Sequence, residues 1–171
     1  MPVYYQTLRL LIRPTLENDI DRVLEMERDQ TNADFIRYWT REKHLAALHD
    51  DNIGYFVVES KDDRRIIGHI ILVGLTNPDN NIEFKRIVIA EKGKGYGHEA
   101  VRWIKKYAFE VRGAHRLWLE VMESNNRAYG VYLAEGFIKE GVHRESLKQG
   151  DNYVSLIVMS ILAREYKSNF C

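Results

Sequence analysis

The sequence predicts a single-domain α/β protein, built on a mixed, mostly antiparallel sheet of about seven strands flanked by helices. Three observations lead there. Runs of β-branched and aromatic residues recur along the chain, separated by polar or glycine-bearing turns. The stretch Ile82 to Val111 reads as a strand, a glycine-punctuated turn and then an amphipathic helix. No repeat, low-complexity tract or linker divides the 171 residues, so one domain is expected over 1–171.

The elements follow in order. Thr7 to Pro14 alternates Leu8, Leu10 and Ile12 with Arg9 and Arg13, and Pro14 closes this opening strand. Thr15 or Asn18 is placed to cap a helix over Asp19 to Asp29, with Ile20, Val23, Leu24 and Met26 or Glu27 as its inner stripe. Thr40 caps a second helix reaching His49, with Leu45 and Leu48 as its apolar positions. Strands Ile53 to Glu59 and Ile66 to Leu75 flank the charged turn 61–65, and a turn at 77–81 leads into the strand ending at Ile89. These segments make an antiparallel meander. In the long helix, Ala100, Val101, Ile104, Ala108 and Val111 fall on one face. Arg116 to Val121 is the next strand, and Ser124 or Asn125 caps a short helix over Arg127 to Glu135. Phe137 to Val142 and Ser155 to Leu162 read as a closing hairpin, and the tail 163–171 reads as polar and frayed.

Composition narrows the function. Apolar residues at 45% and charged residues at 29% describe a globular chain, and the zero net charge argues against a strongly basic nucleic-acid binder. Trp39, Trp103 and Trp118 sit in no basic-aromatic cluster, so nucleic acid is not an expected partner. The lone cysteine, Cys171, allows neither an intramolecular disulfide nor a cysteine-based zinc site, which suits a reducing compartment. His44, His49, His69, His98, His115 and His143 show no metal-binding spacing, so no metal is expected. No leader-like or spanning apolar run is present, and a soluble cytoplasmic protein without a membrane partner is expected.

The turn carries the chemistry. In Lys92-Gly93-Lys94-Gly95-Tyr96-Gly97, alternating glycines let successive amides face one point, and the next helix aims its N-terminal amides there too. Lys92 and Lys94 add positive charge, and His98, which follows the loop, is expected either to cap the helix or to approach the same point. The arrangement suits a phosphate or pyrophosphate. It is no nucleoside-triphosphate P-loop, because no Ser or Thr follows a glycine-lysine pair. It is no strict dinucleotide fingerprint either: the glycines run G-x-G-x-G, and the third place of G-x-G-x-x-G falls on His98 or Ala100, which disfavours a nicotinamide-dependent oxidoreductase.

Lys92, Gly95 and Gly97 occupy the places of the Gln/Arg-x-x-Gly-x-Gly/Ala signature of GNAT-type N-acetyltransferases, which this stretch resembles. Lysine at the first place keeps the charge and loses the planar donor fork. A second element, Asn125 to Tyr132 followed by Gly136-Phe137, is similar to the family's N-x-x-A-x-x-x-Y helix and its glycine-phenylalanine turn. The resemblance spans nearly the whole chain and is strongest to the branch that acetylates ribosomal-protein N-termini or polyamines.

That resemblance implies the acyl-CoA N-acyltransferase fold, acetyl-CoA as cosubstrate and a primary amine as acceptor, either a small molecule such as a polyamine or a peptide N-terminus. The acetyl group would pass by direct attack in a ternary complex. A non-catalytic acyl-CoA-binding module is the alternative, and a homodimer is left open. The loop, Lys92 through Gly97 with His98, would bind the cofactor. Amides among Ile87, Val88 and Ile89 would pair with its pantetheine arm in a gap between splayed strands; period-two geometry lets only alternate residues do so, and the sequence leaves the parity open. Asn125 would bind the same arm or simply cap its helix. Tyr132 would be the general acid, against the alternative of an aromatic packed under the helix; Tyr129 is a weaker candidate. Glu83, six residues before Ile89 and on its face unless a bulge intervenes, would be the base, against the alternative of a solvated strand glutamate. Glu17, Asp19, Asp21, Glu25, Glu27, Asp29 and Asp34 crowd the first helical region and would steer a cationic acceptor.

Overall fold

The computed structural model describes residues 5–168. An eight-stranded sheet forms its centre, in the order β1-β2-β3-β4-β5-β6-β8-β7. The strands are β1 (Tyr5–Gln6), β2 (Leu10–Pro14), β3 (Ile53–Ser60), β4 (Ile66–Val73), β5 (Asn81–Ile89), β6 (Arg116–Met122), β7 (Ile138–Gln149) and β8 (Asn152–Leu162). β2 to β5 form the expected antiparallel meander. The eighth strand comes from the chain start: the predicted opening strand breaks at residues 7–9, and β1 folds back on β2. Leu8, 85% exposed, sits in that break rather than in the alternation.

Helices cover both faces. α1 (Ile20–Arg28), α2 (Gln30–Ala33) and α3 (Arg41–Ala47) lie on one face, where Ile20, Val23, Leu24, Met26, Trp39 and Ala47 pack on Tyr55, Val57, Ile71 and Val88. Neither Thr15 nor Asn18 starts α1. A 3-10 turn, Glu17–Asp19, precedes it, and the Asp19 carboxylate takes the Leu16 amide at 2.8 Å and the Arg13 guanidinium at 2.7 Å. Thr40 does cap α3, accepting from the Lys43 amide at 3.2 Å.

The other face carries α4 (Tyr96–Lys106) and α5 (Asn126–Ala134). Ala100, Val101, Ile104 and Ala108 are buried against Leu10, Ile12, Phe56, Ile70, Leu72, Ile82 and Phe84. Val111 departs from its expected face and is 55% exposed. The last turn, Tyr107–Val111, is π-helical, and the extra residue per turn rotates Val111 off the core. Residues 163–168 are no frayed tail. They form α6 (Ala163–Ser168), whose buried Tyr166 stacks on Phe109 and donates to Glu110 at 2.6 Å. Cys171 and the rest of 169–171 lie outside the described residues. Among the described residues, no helix is long and apolar enough to cross a membrane, and no group of metal-ligating side chains occurs.

Candidate active site

The site begins where two central strands part. β5 and β6 are parallel and pair at only three rungs, Asn81 with Arg116, Ile82 with Leu117 and Glu83 with Trp118. Beyond Glu83 both strands continue without pairing, which leaves a backbone edge on β5 facing a gap.

Which amides line the gap is decided by a bulge. On β4, Ile71 lies opposite Arg86 and Leu72 opposite Phe84, so Lys85 is an extra residue on β5. The Ala90 amide donates to Ile67 oxygen at 2.7 Å, which makes that rung a hydrogen-bonded one. Alternation then turns the peptide groups of Val88 toward β4 and those of Ile87 and Ile89 toward the gap. A Cβ added at Gly68 of β4 would lie 2.4 Å from Val88 oxygen, as that orientation requires. The parity that the sequence left open is thereby resolved: the Ile87 and Ile89 peptide groups point to the gap, whereas the Val88 amide serves the sheet and its side chain is buried under α1–α3.

The same bulge moves Glu83. Ile82, Phe84, Ile87 and Ile89 face α4, whereas Arg86 and Val88 face α1. Glu83 alternates with Ile82 and Phe84 and so shares the α1–α3 face, opposite Ile89 rather than beside it. Its carboxylate takes the Lys85 ammonium at 3.0 Å.

The glycine turn follows β5. Gly93 and Gly95 have φ of 75° and 79°, a conformation that costs a side-chain-bearing residue strain. Gly97 has neither a positive φ nor a heavy atom within 4 Å of where a Cβ would stand. Nothing in the protein demands glycine there, and the space it leaves open lies at the amide end of α4. The amides of Tyr96, Gly97 and His98 open α4 with no intrahelical acceptor. Arg9 braces the turn, giving one hydrogen bond to Lys94 oxygen at 2.8 Å, pairing with Glu99 at 2.9 Å and lying over the Tyr96 ring at 4.7 Å.

The loop cations are anchored rather than mobile. Lys94 pairs with Glu91, and Lys92 donates to the Asn32 side chain of α2. Burial and the nearby charge of Arg127 both lower the Lys92 ammonium pKa, so an anion between these two cations would be stabilised. His98 turns one ring nitrogen to α5: its Nδ1 lies 2.9 Å from Glu135, a buried carboxylate at the end of that helix that also binds Arg102 and Lys105. This clamp of α4 on α5 has no signature in the sequence.

α5 closes the gap from the α4 side. The Asn125 oxygen accepts the Ala128 amide at 3.2 Å, so it is a helix cap whose amide nitrogen stays available as a donor. Tyr132, 8% exposed, packs between Phe84 at 5.6 Å and Phe137 at 5.8 Å. No side chain among the described residues hydrogen-bonds its hydroxyl, and burial raises its pKa, so it remains a proton donor at neutral pH. Tyr129 is partly buried against the same core.

On the opposite side, most of the acidic side chains already have partners. Asp19 pairs with Arg13, Asp21 with Arg41, Glu25 with Arg22, Glu27 with Arg86, and Glu17 approaches His49. Asp29 accepts from Thr31, and the backbone oxygen of Asp34 takes a bond from Gln149 at the hairpin end. Asp19, Asp21, Glu25 and Glu27 thus each face an arginine. A cavity of about 200 Å³ lies against this side, lined by Glu27, Arg28, Ala33, Ile36 and Tyr38, apart from the strand gap.

Known proteins are similar to this chain. Residues 9–138 match the acetyltransferase (GNAT) domain. Spermidine N(1)-acetyltransferase of Escherichia coli (strain K12) is 28% identical over 166 residues, covering 91% of this chain and 87% of the relative. The probable N-acetyltransferase YjcK of Bacillus subtilis (strain 168) is 27% identical, covering 90% and 93%. The crystal structure of spermidine N-acetyltransferase from Vibrio cholerae in complex with CoA and spermine has a TM-score of 0.84 at 23% identity, covering 94% and 99%, and so shares the fold. From the parted strands, the glycine turn and the match over most of its length, this chain belongs to the GNAT acetyltransferase family and transfers the acetyl group of acetyl-CoA to an amine.

Proposed function

We propose that the amine attacks acetyl-CoA directly in a ternary complex, with the pantetheine arm in the β5–β6 gap and the pyrophosphate at the turn Lys92 to Gly97. The observation that carries this reading is the parted edge of β5, whose Ile87 and Ile89 amides have no sheet partner, with Tyr132 beside its first unpaired residue. Those amides are suited to hold the pantetheine and polarise the thioester carbonyl, and the free donor of Asn125 adds a contact from α5. The acceptor loses a proton to become a free amine, and its nitrogen then bonds to the thioester carbon. The carbon–sulfur bond breaks, sulfur takes the Tyr132 proton, and the new amide nitrogen gives up a proton that restores the phenol. Glu83, on the face away from Tyr132, is placed to take a proton from an amine approaching that side.

For the acceptor we propose a polyamine of the spermidine kind, in a cytoplasmic enzyme. Support comes from the activities named for the relatives rather than from the acidic side chains, most of which are paired. The homodimer left open by the sequence is part of the same proposal, tested by size-exclusion chromatography with light scattering. The decisive experiment offers spermidine, spermine and N-terminal peptides with acetyl-CoA, follows free thiol and identifies the product by mass spectrometry. Turnover of spermidine is expected. Turnover of peptides alone would overturn the polyamine reading, and no turnover of any amine would overturn the catalytic one.

A further inference from the structure

A buried charge cluster outside the reaction path bears on the strand that holds the cofactor. Glu27 of α1, 3% exposed, sits at its centre. One carboxylate oxygen receives Arg86 of β5 at 2.7 Å and lies 3.1 Å from His69 of β4; the other lies 3.3 Å from His44 of α3. Tyr55 of β3 contacts His44 Nδ1 at 2.7 Å. The second arm of Arg86 donates to the backbone oxygen of Arg37, and its guanidinium lies over the Trp39 ring at 4.9 Å. One side chain on β5 is thereby fixed both to α1 and to the segment between α2 and α3, immediately after the bulge residue Lys85.

We propose that Arg86, held by Glu27, is a positioning residue that locks the register of β5. This rests on the reading that Ile87 and Ile89 amides hold the pantetheine. Along a strand, the side on which a side chain lies and the direction of its amide alternate together. Here residues facing α4 present their amides to the gap, and residues facing α1 present theirs to β4. If β5 lost its bulge, the order Ile82, Phe84, Arg86, Val88 would face α4. The gap donors would then move by one residue, roughly 3.3 Å. A displacement of even ~1 Å at a reacting group can cost ~10²-fold in rate. The slipped register is excluded because it would place the Arg86 guanidinium in an apolar core and leave the Glu27 carboxylate buried and unpaired. A buried ion pair is weak evidence for stability in itself, but separating its partners leaves an uncompensated buried charge, and that penalty is what would hold the register.

The test compares wild type with Arg86→Leu, which can enter the apolar core, and Glu27→Gln, which keeps shape and removes the charge; Arg86→Lys is the conservative control. Cross-strand NMR contacts report the register directly, and acetyl-CoA affinity, kcat and acceptor KM are measured beside them. In Arg86→Leu the position-86 contact to Ile71 should be lost. Then kcat should fall at least ~100-fold, acceptor KM should change little, and Arg86→Lys should recover part of the rate. Should Arg86→Leu not fold, Glu27→Gln is read by the same contacts. A native register in the folded variant, or a lower melting temperature with unchanged kcat, overturns the proposal. If acetyl-CoA leaves the Ile87 and Ile89 amide signals of the wild type unmoved, the pantetheine reading itself fails, independently of the variants.

Discussion

The rings of Phe84 and Tyr132 meet edge to face, with centroids 5.6 Å apart and planes at 79°. Phe84 is the first residue of β5 beyond its last rung with β6, so this contact sets Tyr132 at the apex of the opening between the strands. No side chain among the described residues hydrogen-bonds the hydroxyl, while the ring is held on two sides. Such a donor is fixed in place yet uncommitted, which is what proton transfer to a leaving thiolate needs.

Tyr132→Phe should therefore lower kcat by about 10²–10⁴-fold while acetyl-CoA affinity and melting temperature stay close to wild type. Tyr132→Ala should also lose the packing against Phe84 and Phe137, at about 3–5 kcal/mol of stability. Steady-state kinetics and thermal unfolding of both variants separate the roles. Full activity in the Phe variant would reduce Tyr132 to packing.

Two glycines of the turn should respond differently. Gly95, at φ 79°, should lose about 1–2 kcal/mol of stability when changed to Ala. Gly97 lies in open space with ordinary helical backbone, so Gly97→Val should fold normally. It should nevertheless weaken CoA binding by about tenfold or more, ~1.4 kcal/mol, through a clash with the pyrophosphate. Calorimetry showing wild-type affinity in Gly97→Val would remove the pyrophosphate from this turn.

Glu83→Gln keeps size and removes basicity. Turnover at neutral pH should drop, with partial recovery as pH rises toward the acceptor's own pKa of about 10 and free amine becomes abundant. A pH–rate profile matching wild type would leave Glu83 as the partner of Lys85 and nothing more.

Acid stability should depend on Glu135. Burial alone would raise its pKa, but hydrogen bonds from His98 and Arg102 and the charge of Lys105 outweigh burial and hold it below the ordinary value of 4.5. A carboxyl depressed in the folded state stabilises above its unfolded pKa and loses that contribution as pH falls through the folded one. Wild-type melting temperature should thus decline below about pH 4.5, and Glu135→Gln should decline less steeply over the same range. Parallel curves for the two proteins would show that the clamp carries no such linkage.

Local signals in the chain determined much of this protein. Hydrophobic period and turn chemistry placed the meander, α4, the capped α5 and the closing hairpin, because each depends on neighbours a few residues away. The turn Lys92 to Gly97 and the run Asn125 to Tyr132 were legible for the same reason. Tertiary structure alone decided what those pieces face. One extra residue at Lys85 reversed the strand's alternation, which turned the Val88 amide to the sheet, left Ile87 and Ile89 to the gap and moved Glu83 across from Ile89. A bulge is a property of two paired strands, so the alternation of one strand cannot reveal it. Likewise Glu27 and Arg86, and His98 and Glu135, are distant in sequence and adjacent only after packing. The sequence left Glu27 both as a possible inner-stripe position and among the acids that would steer a cation, whereas burial beside Arg86 made it part of the frame. The low dielectric of the interior forces such charges into pairs, and only the folded chain determines which pairs form.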